Sequence, residues 1–395
     1  MKINARRLLY VGIALVVASA SGLLYHTYAE PLPALQPVAD NTTTSAGATP
    51  NISWSPYGEQ AFTVVGHDNL MQSYGGNSSL PIASIAKVMT ALAILHEKPL
   101  SVGEQGPTIT MTSNDVAVYQ SDLAQNQSVV AVSAGEQLSE YQALEAMLIP
   151  SATNIADVAA PWAFGSMDSY LSYANSYAQQ IGMTDSHFAD ASGFSPDTTS
   201  TPQDLLKLGE VAMQNPVIAS IVSQASVTLP VAGTVNNFNA DVGQGGINGI
   251  KTGNTDQAGG ALLLSAKEQG YSVIGIILDA PDLGTAVHDA PEVLDSYTQT
   301  IQVATVISAG QVVGKYTLPW GGTVNAVAKN SVSAVESVSS TPGITVSLQP
   351  IHTTTNSSQT IGTVSLDGAP SSNSAVTLQN SIPQPSVWWR MTHHR

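Results

Sequence analysis

Between an N-terminal leader and Trp389 the chain carries no arginine, and its lysines there are Lys87, Lys98, Lys207, Lys251, Lys267, Lys315 and Lys329. Two of them, Lys87 and Lys251, stand in predominantly apolar runs. An ammonium group taken out of water without a partner is costly, so a fold that buries these runs must bring acceptors to both. That requirement narrows the possible folds more than any other feature. The 395 residues are 43% apolar, enough for a sizeable core, and the length suggests a large domain with a smaller module. Only 10% are charged and the net charge is -16, which excludes nucleic acid as a partner because phosphate binding needs basic residues. It also argues against a basic grip on anionic lipid headgroups. With no cysteine there are no disulfides, thiol nucleophiles or sulfur-based zinc sites.

Lys2, Arg6 and Arg7 precede an apolar run over 8–25, the charged-then-apolar order of a secretory leader. The run is also near the minimum for a membrane span. With Thr27-Tyr28-Ala29 as a mediocre cleavage site, residues 1–29 read as a cleaved signal peptide or a retained anchor. Either puts the remainder outside the cytoplasm, secreted or anchored to the outer face of the cytoplasmic membrane. Residues 30–52 hold Pro31, Pro33, Pro37 and Pro50 around a threonine run, and are expected to be a structureless linker. A large domain is expected over 53–308, a small all-β domain over 309–385, and a tail over 386–395.

Within the large domain 61–65 has strand composition, and from Ser84 the pattern becomes helical. Ile85, Val88, Met89, Leu92 and Leu95 recur at three- and four-residue steps. A second helix opens at Ser139, where Ser139 and Gln142 form a capping box, and ends near Pro150. Further helices are expected over 167–181, 202–213 and 292–306. The segments 247–253, 261–266 and 271–278 read as an antiparallel meander with a buried middle strand.

Ser84 and Lys87 are three residues apart on a helix, so their side chains share a face. A lysine with its ordinary pKa of about 10.4 is a poor base at neutral pH. Desolvation and a nearby positive charge favour the neutral amine, which can take the serine proton and create a nucleophile. A surface lysine after a helix-capping serine would give the same S-x-x-K pair. Two more elements favour chemistry: Ser151, directly after Pro150, and Lys251-Thr252-Gly253 at the end of a strand. A serine with lysine, a second serine, and K-T-G, in that chain order, form the S-x-x-K hydrolase constellation. A second hydroxyl can relay protons, a lysine and threonine beside a cleft can bind a carboxylate, and glycine lets a substrate backbone lie against the strand. His187, His288 and the other histidines show no ligand spacing, so no metal or other cofactor is expected.

On these motifs residues 54–300 resemble the low-molecular-mass penicillin-binding D-alanyl-D-alanine carboxypeptidases, serine peptidase family S11. Pro81-Ile82-Ala83-Ser84-Ile85-Ala86-Lys87-Val88-Met89-Thr90 is similar to their first motif, Leu148-Ile149-Pro150-Ser151 to the approach to their second, and the run from Gly249 through Lys251-Thr252-Gly253 to Gly259 to their third. Segments 181–188 and 200–205 match as well. The resemblance implies an α+β fold: a β-lactamase/transpeptidase-like catalytic domain, an antiparallel sheet with helices, followed by a small all-β domain. It implies Ser84, Lys87 and Ser151 as catalytic residues and Lys251, Thr252 and Gly253 as substrate-binding. The implied partners are the peptidoglycan stem pentapeptide as substrate, β-lactam antibiotics as inhibitors, and the membrane if the leader is retained. The second motif departs from the family's Ser-x-Asn, since Thr153 stands where asparagine is expected and Asn154 follows. Either Thr153 substitutes, or a local backbone shift brings Asn154 into the cleft. A serine β-lactamase shares the constellation, although no matching acidic loop motif is present, and a catalytically impaired peptidoglycan-binding scaffold fits the Thr153 departure.

Overall fold

The structure, a computed structural model, describes residues 5–45, 47–48, 51–367 and 369–393. The chain divides into two compact units, Pro50–Ile301 and Met1–Thr49 with Gln302–Arg395. The first is α+β. The strands of its main sheet are β1 (Glu59–Val64), β2 (His67–Tyr74), β3 (Ile247–Thr255), β4 (Gly259–Glu268) and β5 (Tyr271–Ala280). They form one antiparallel sheet in the order β3-β4-β5-β1-β2, so the expected meander is present and β5 and β4 lie inside it. Both faces of these inner strands are covered, which is why they read as continuous apolar runs rather than alternating ones. Leu263, Ile274 and Ile276 join the helical core. On the other side Phe62 lies across Gly275, whose missing side chain leaves room for the ring, and meets Tyr297 at 5.8 Å.

The longer helices are α1 (Ala86–Glu97), α2 (Ser113–Ala124), α3 (Glu140–Leu148), α4 (Thr153–Phe164), α5 (Met167–Gln180), α6 (Pro202–Gln214) and α7 (Leu283–Thr298), and a short helix Pro216–Val222 follows α6. Every residue of α1 from Ala86 to Leu95 is buried, as suits a helix apolar on all sides. It packs against α3, α4, α5 and α6 and is the axis of the unit. The helix expected over 292–306 divides: α7 ends at Thr298, and Ile301–Ile307 is a strand whose side chains alternate between inside and outside. β-Branched Ile301, Val303, Thr305 and Ile307 at every second position favour the strand.

The second unit is built on a six-stranded sheet. Val312–Thr317, Thr323–Ala328, Ile344–Leu348 and Gly362–Leu366 supply strands where strand composition was read. The segment expected as a linker is not free. Pro37–Ala39 pairs with Val312–Thr317, and Leu35, Thr42 and Ser45 bridge to Ile351, Ile344 and Thr341. Proline is tolerated there because the strand is the sheet's edge. Ala46, Thr49 and Pro50 of that segment lie outside the described residues. Ala5–Ala29 is one helix, while Lys2 and the side chains of the expected cleavage site at 27–29 lie outside the described residues. Among the described residues no helix is long and apolar enough to cross a membrane. In the tail Trp389 packs edge-on against Trp320 at 5.5 Å, whereas Trp388 is 73% exposed.

The start of α3 shows how local sequence chemistry is satisfied, and where it is not. Gln142 N–H donates to Ser139 Oγ and Ser139 N–H to Gln142 Oε1, which completes the expected capping box. Glu140 follows as the first helical residue, fully buried, with neither carboxylate oxygen hydrogen-bonded among the described residues. Burial pushes its pKa up to about 7, and Lys98 offsets this only in part. A carboxyl group raised in the folded state stabilises fully below its unfolded pKa, and that contribution is lost as pH rises through the folded value. Glu140→Gln is therefore expected to leave stability unchanged near pH 4 and to raise it by about 2 kcal/mol near pH 8, as read from urea midpoints.

Candidate active site

Ser84 sits in a tight turn, Ala83–Ile85, immediately before α1. The turn is held in an uncommon conformation, with Ala83 at φ 45°. Two glycines allow its neighbours to close on it. A Cβ on Gly193 would fall 1.7 Å from the Ala83 carbonyl oxygen, and one on Gly253 would crowd Ala83, Ile82 and the Ser84 nitrogen at 3.0–3.1 Å. The expected reason for Gly253, room for a substrate backbone, is thus joined by a stronger one. The end of β3 has to touch the Ser84 turn itself.

Lys87 lies one turn further along, fully buried. Its Nζ is 2.8 Å from Ser84 Oγ, 3.3 Å from Thr153 Oγ1 and 3.0 Å from the Ser192 carbonyl oxygen. Burial lowers its pKa to about 8, against the opposing pull of Asp157, Asp190 and Asp122. Lys251, 1% exposed, donates to the Thr252 carbonyl at 3.0 Å. Burial holds its pKa well below the ordinary value, and the charge of Lys87 lowers it further.

A cleft of about 620 Å³ brings together Ser84, Ser151, Thr153, Thr252 and Gly253. Ser151 occupies the junction between α3 and α4 with φ at 63°, another uncommon conformation for a residue with a side chain. Lys87 and Lys251 approach from the protein side and do not line the cleft.

Asn154 is not brought to this site. Its side chain accepts from the Val130 N–H at 3.1 Å and donates to the Val130 carbonyl at 3.0 Å, and it is 1% exposed. Thr153 opens α4, so the next residue turns about 100° around the helix and faces a different neighbour. The backbone shift considered as an alternative does not occur; Thr153 stands at the cleft.

Residue patterns also left groups unnoticed. The Ser192 carbonyl is a backbone atom and has no residue-type signal. The loop that presents it is organised by Asp190, whose carboxylate accepts from Ser192 Oγ, Thr198 Oγ1 and the N–H groups of Gly193, Phe194 and Ser195 at 2.6–3.3 Å. Aspartate followed by serine and glycine is a turn signature that could have found it. Thr90 Oγ1 donates to the Ala191 carbonyl at 2.6 Å and lies 2.7 Å from the Tyr170 hydroxyl, tying the loop to α1 and α5.

Asn154→Ala would leave the Val130 N–H and C=O buried without partners. It is expected to cost about 2 kcal/mol of stability. A shift of the denaturant midpoint at unchanged slope would register this loss.

A family model for D-alanyl-D-alanine carboxypeptidase matches residues 69–282. D-alanyl-D-alanine carboxypeptidase DacA of Escherichia coli (strain K12) is 26% identical over 200 residues, 50% of this chain and 49% of the relative. The D-alanyl-D-alanine endopeptidase of Pseudomonas aeruginosa is 28% identical over 252 residues, 60% of this chain and 76% of the relative. The chain therefore spans about half the length of the DacA it matches. Among solved structures, the Streptomyces K15 DD-transpeptidase superposes with a TM-score of 0.54 at 21% identity, covering 65% of this chain and all of that one. DacD of Francisella tularensis superposes at 0.61 and 16% identity, covering 86% of this chain and 97% of that one. These likenesses show the DD-peptidase fold. The family match takes in both Ser84-x-x-Lys87 and Lys251-Thr252-Gly253, and the chain belongs to the D-alanyl-D-alanine carboxypeptidase family, peptidase S11.

Proposed function

We propose that the protein is a serine-type D-alanyl-D-alanine carboxypeptidase that removes the terminal D-alanine from peptidoglycan stem pentapeptides through an acyl-enzyme on Ser84, and that it binds penicillin at the same serine. The observation that carries this reading is the Lys87 amine, 2.8 Å from Ser84 Oγ, with burial lowering its pKa to about 8. A base with that value is partly neutral at neutral pH and close to the optimum for general catalysis. In the neutral amine two N–H groups serve Thr153 Oγ1 and the Ser192 carbonyl. The lone pair is left to take the Ser84 proton.

Ser84 Oγ then bonds to the carbonyl carbon between the two terminal D-alanines, with the oxyanion on backbone N–H groups that include Ser84's own. Ser151 relays the proton from Lys87 to the departing amine, the C–N bond breaks, and D-alanine leaves. Water attacks the ester, its proton returns through Lys87, and Ser84 is regenerated. Thr252 receives the substrate's terminal carboxylate, and Lys251 supplies the positive charge. An incoming carboxylate offsets the desolvation of Lys251 and favours its charged form. The leader pattern of Lys2, Arg6 and Arg7 before an apolar run supports work outside the cytoplasm, secreted or held at the outer face of the cytoplasmic membrane.

The wild-type protein is expected to take up fluorescent penicillin covalently and to shorten a synthetic pentapeptide by one D-alanine, seen by mass spectrometry. Ser84→Ala should do neither, and label persisting in that variant would overturn the assignment. Thr153→Val keeps the shape but removes one hydrogen bond from the amine, and acylation is expected to slow about tenfold.

A further inference from the structure

Acyl transfer as described leaves two carboxylic acids near Lys87 without a task, Asp122 buried and Asp157 half-buried. α4 carries Thr153 at its first position and Asp157 four residues later, so the two side chains stack on one helix face. The hydrogen bond from Lys87 Nζ to Thr153 Oγ1 shows that this face is turned toward the amine. α2 packs against the same helix and contributes Asp122, which is 6% exposed and whose Oδ2 has no hydrogen-bond partner among the described residues. Asp190, the remaining acid in the region, spends its carboxylate on the turn that presents Ser192. Neither Asp122 nor Asp157 lines the substrate cleft.

We propose that half-buried Asp157, together with buried Asp122, forms an acid pair that sets the pH at which Lys87 becomes available as a base; both are positioning residues that act through Lys87. The inference rests on the reading of Lys87 as the base for Ser84. Asp157, Asp122 and Lys87 share a poorly solvated region, where three full charges are unfavourable and protonation of one depends on the others. Burial, with the charges of Asp122 and Asp190, pushes Asp157 up to about 7 against the opposing charge of Lys87. Asp122 is likewise raised by burial and lowered by Lys87.

The sign follows from the charges. Ionised Asp157 favours the ammonium form of Lys87. Protonated Asp157 releases that hold, so acidification, which would otherwise silence the base, also weakens the charge that keeps it protonated. The other groups facing this cluster are Asp190 in the loop after α5, Lys251 on β3, and the Tyr170 hydroxyl on α5, which burial keeps neutral. Asp190 favours a charged Lys87, and a charged Lys87 in turn disfavours a charged Lys251. The acid pair therefore spreads the loss of activity on the acid side over a wider pH range than a lone lysine would give.

The test is the pH dependence of acylation by fluorescent penicillin for the full-length wild type, Asp157→Asn and Asp122→Asn, with thermal melts to verify folding. Asp157→Asn is expected to move the acid limb about one pH unit lower and to steepen it to a single-proton slope. Asp122→Asn should move it in the same direction and decides the matter if Asp157→Asn does not fold. Limbs that coincide with the wild type, or move to higher pH, overturn the inference. A direct titration of the Lys87 amine by nitrogen-15 NMR in a Ser84→Ala background reads the same shift without turnover. A shifted Lys87 titration in a protein that never takes up penicillin would sustain the acid pair and overturn the acyl-enzyme instead.

Discussion

The buried amine of Lys87 is the interaction on which the catalytic unit depends. A desolvated lysine without partners would be strongly destabilising, and its partners come from the neighbouring Ser84 turn and from two distant places, the start of α4 and the Ser192 loop. Each contact fixes one piece of structure against α1. Nearby backbone is held in uncommon conformations at Ala83 and Ser151, and glycines at 193 and 253 permit approaches that no side chain would. The sheet supplies the floor for this arrangement. Its third strand, β3, ends against the Ser84 turn and brings a second buried lysine beside the first.

Two lysines buried near one another make the site electrostatically unusual. Each is pushed toward its neutral form by desolvation, and Lys251 by the charge of Lys87 as well. The surrounding acids act in the opposite direction on Lys87. The balance leaves that amine near the range where it can both accept and return a proton. Replacement of the motif asparagine by Thr153 fits the same picture, since its hydroxyl binds the amine while the adjacent Asn154 is committed to Val130. The chain thus keeps a polar group at this position of the second motif, and that group binds Lys87.

The parts of the site that were readable in advance rest on short-range geometry. Ser84 and Lys87 are linked by helical spacing, Ser139 and Gln142 by a capping box, and the meander by apolar runs separated by turns. What was not readable depends on partners far away in the chain. Nothing local to residues 30–52 announces an edge strand, because the carbonyl and N–H groups that pair with it belong to residues 312–351. Ile301–Ile307 is a strand where the pattern suggests helix, since a short apolar stretch after a helix carries both periods weakly. The choice between Thr153 and Asn154 turned on where α4 begins, which a pattern resolves only to within a few residues.

Residue type and spacing alone single out the Ser84–Lys87 pair, the Lys251-Thr252-Gly253 strand motif, and the scarcity of other cations to compete for a carboxylate. These follow from residue type and from spacings shorter than a helical turn. Only the tertiary structure decided that Thr153 and not Asn154 stands at the cleft, that a backbone carbonyl at Ser192 completes the lysine's shell, and that Asp122 and Asp157 share its surroundings. The physical reason is that burial and electrostatic coupling depend on distances across the fold, and residues 66 and 105 positions apart meet at one nitrogen atom.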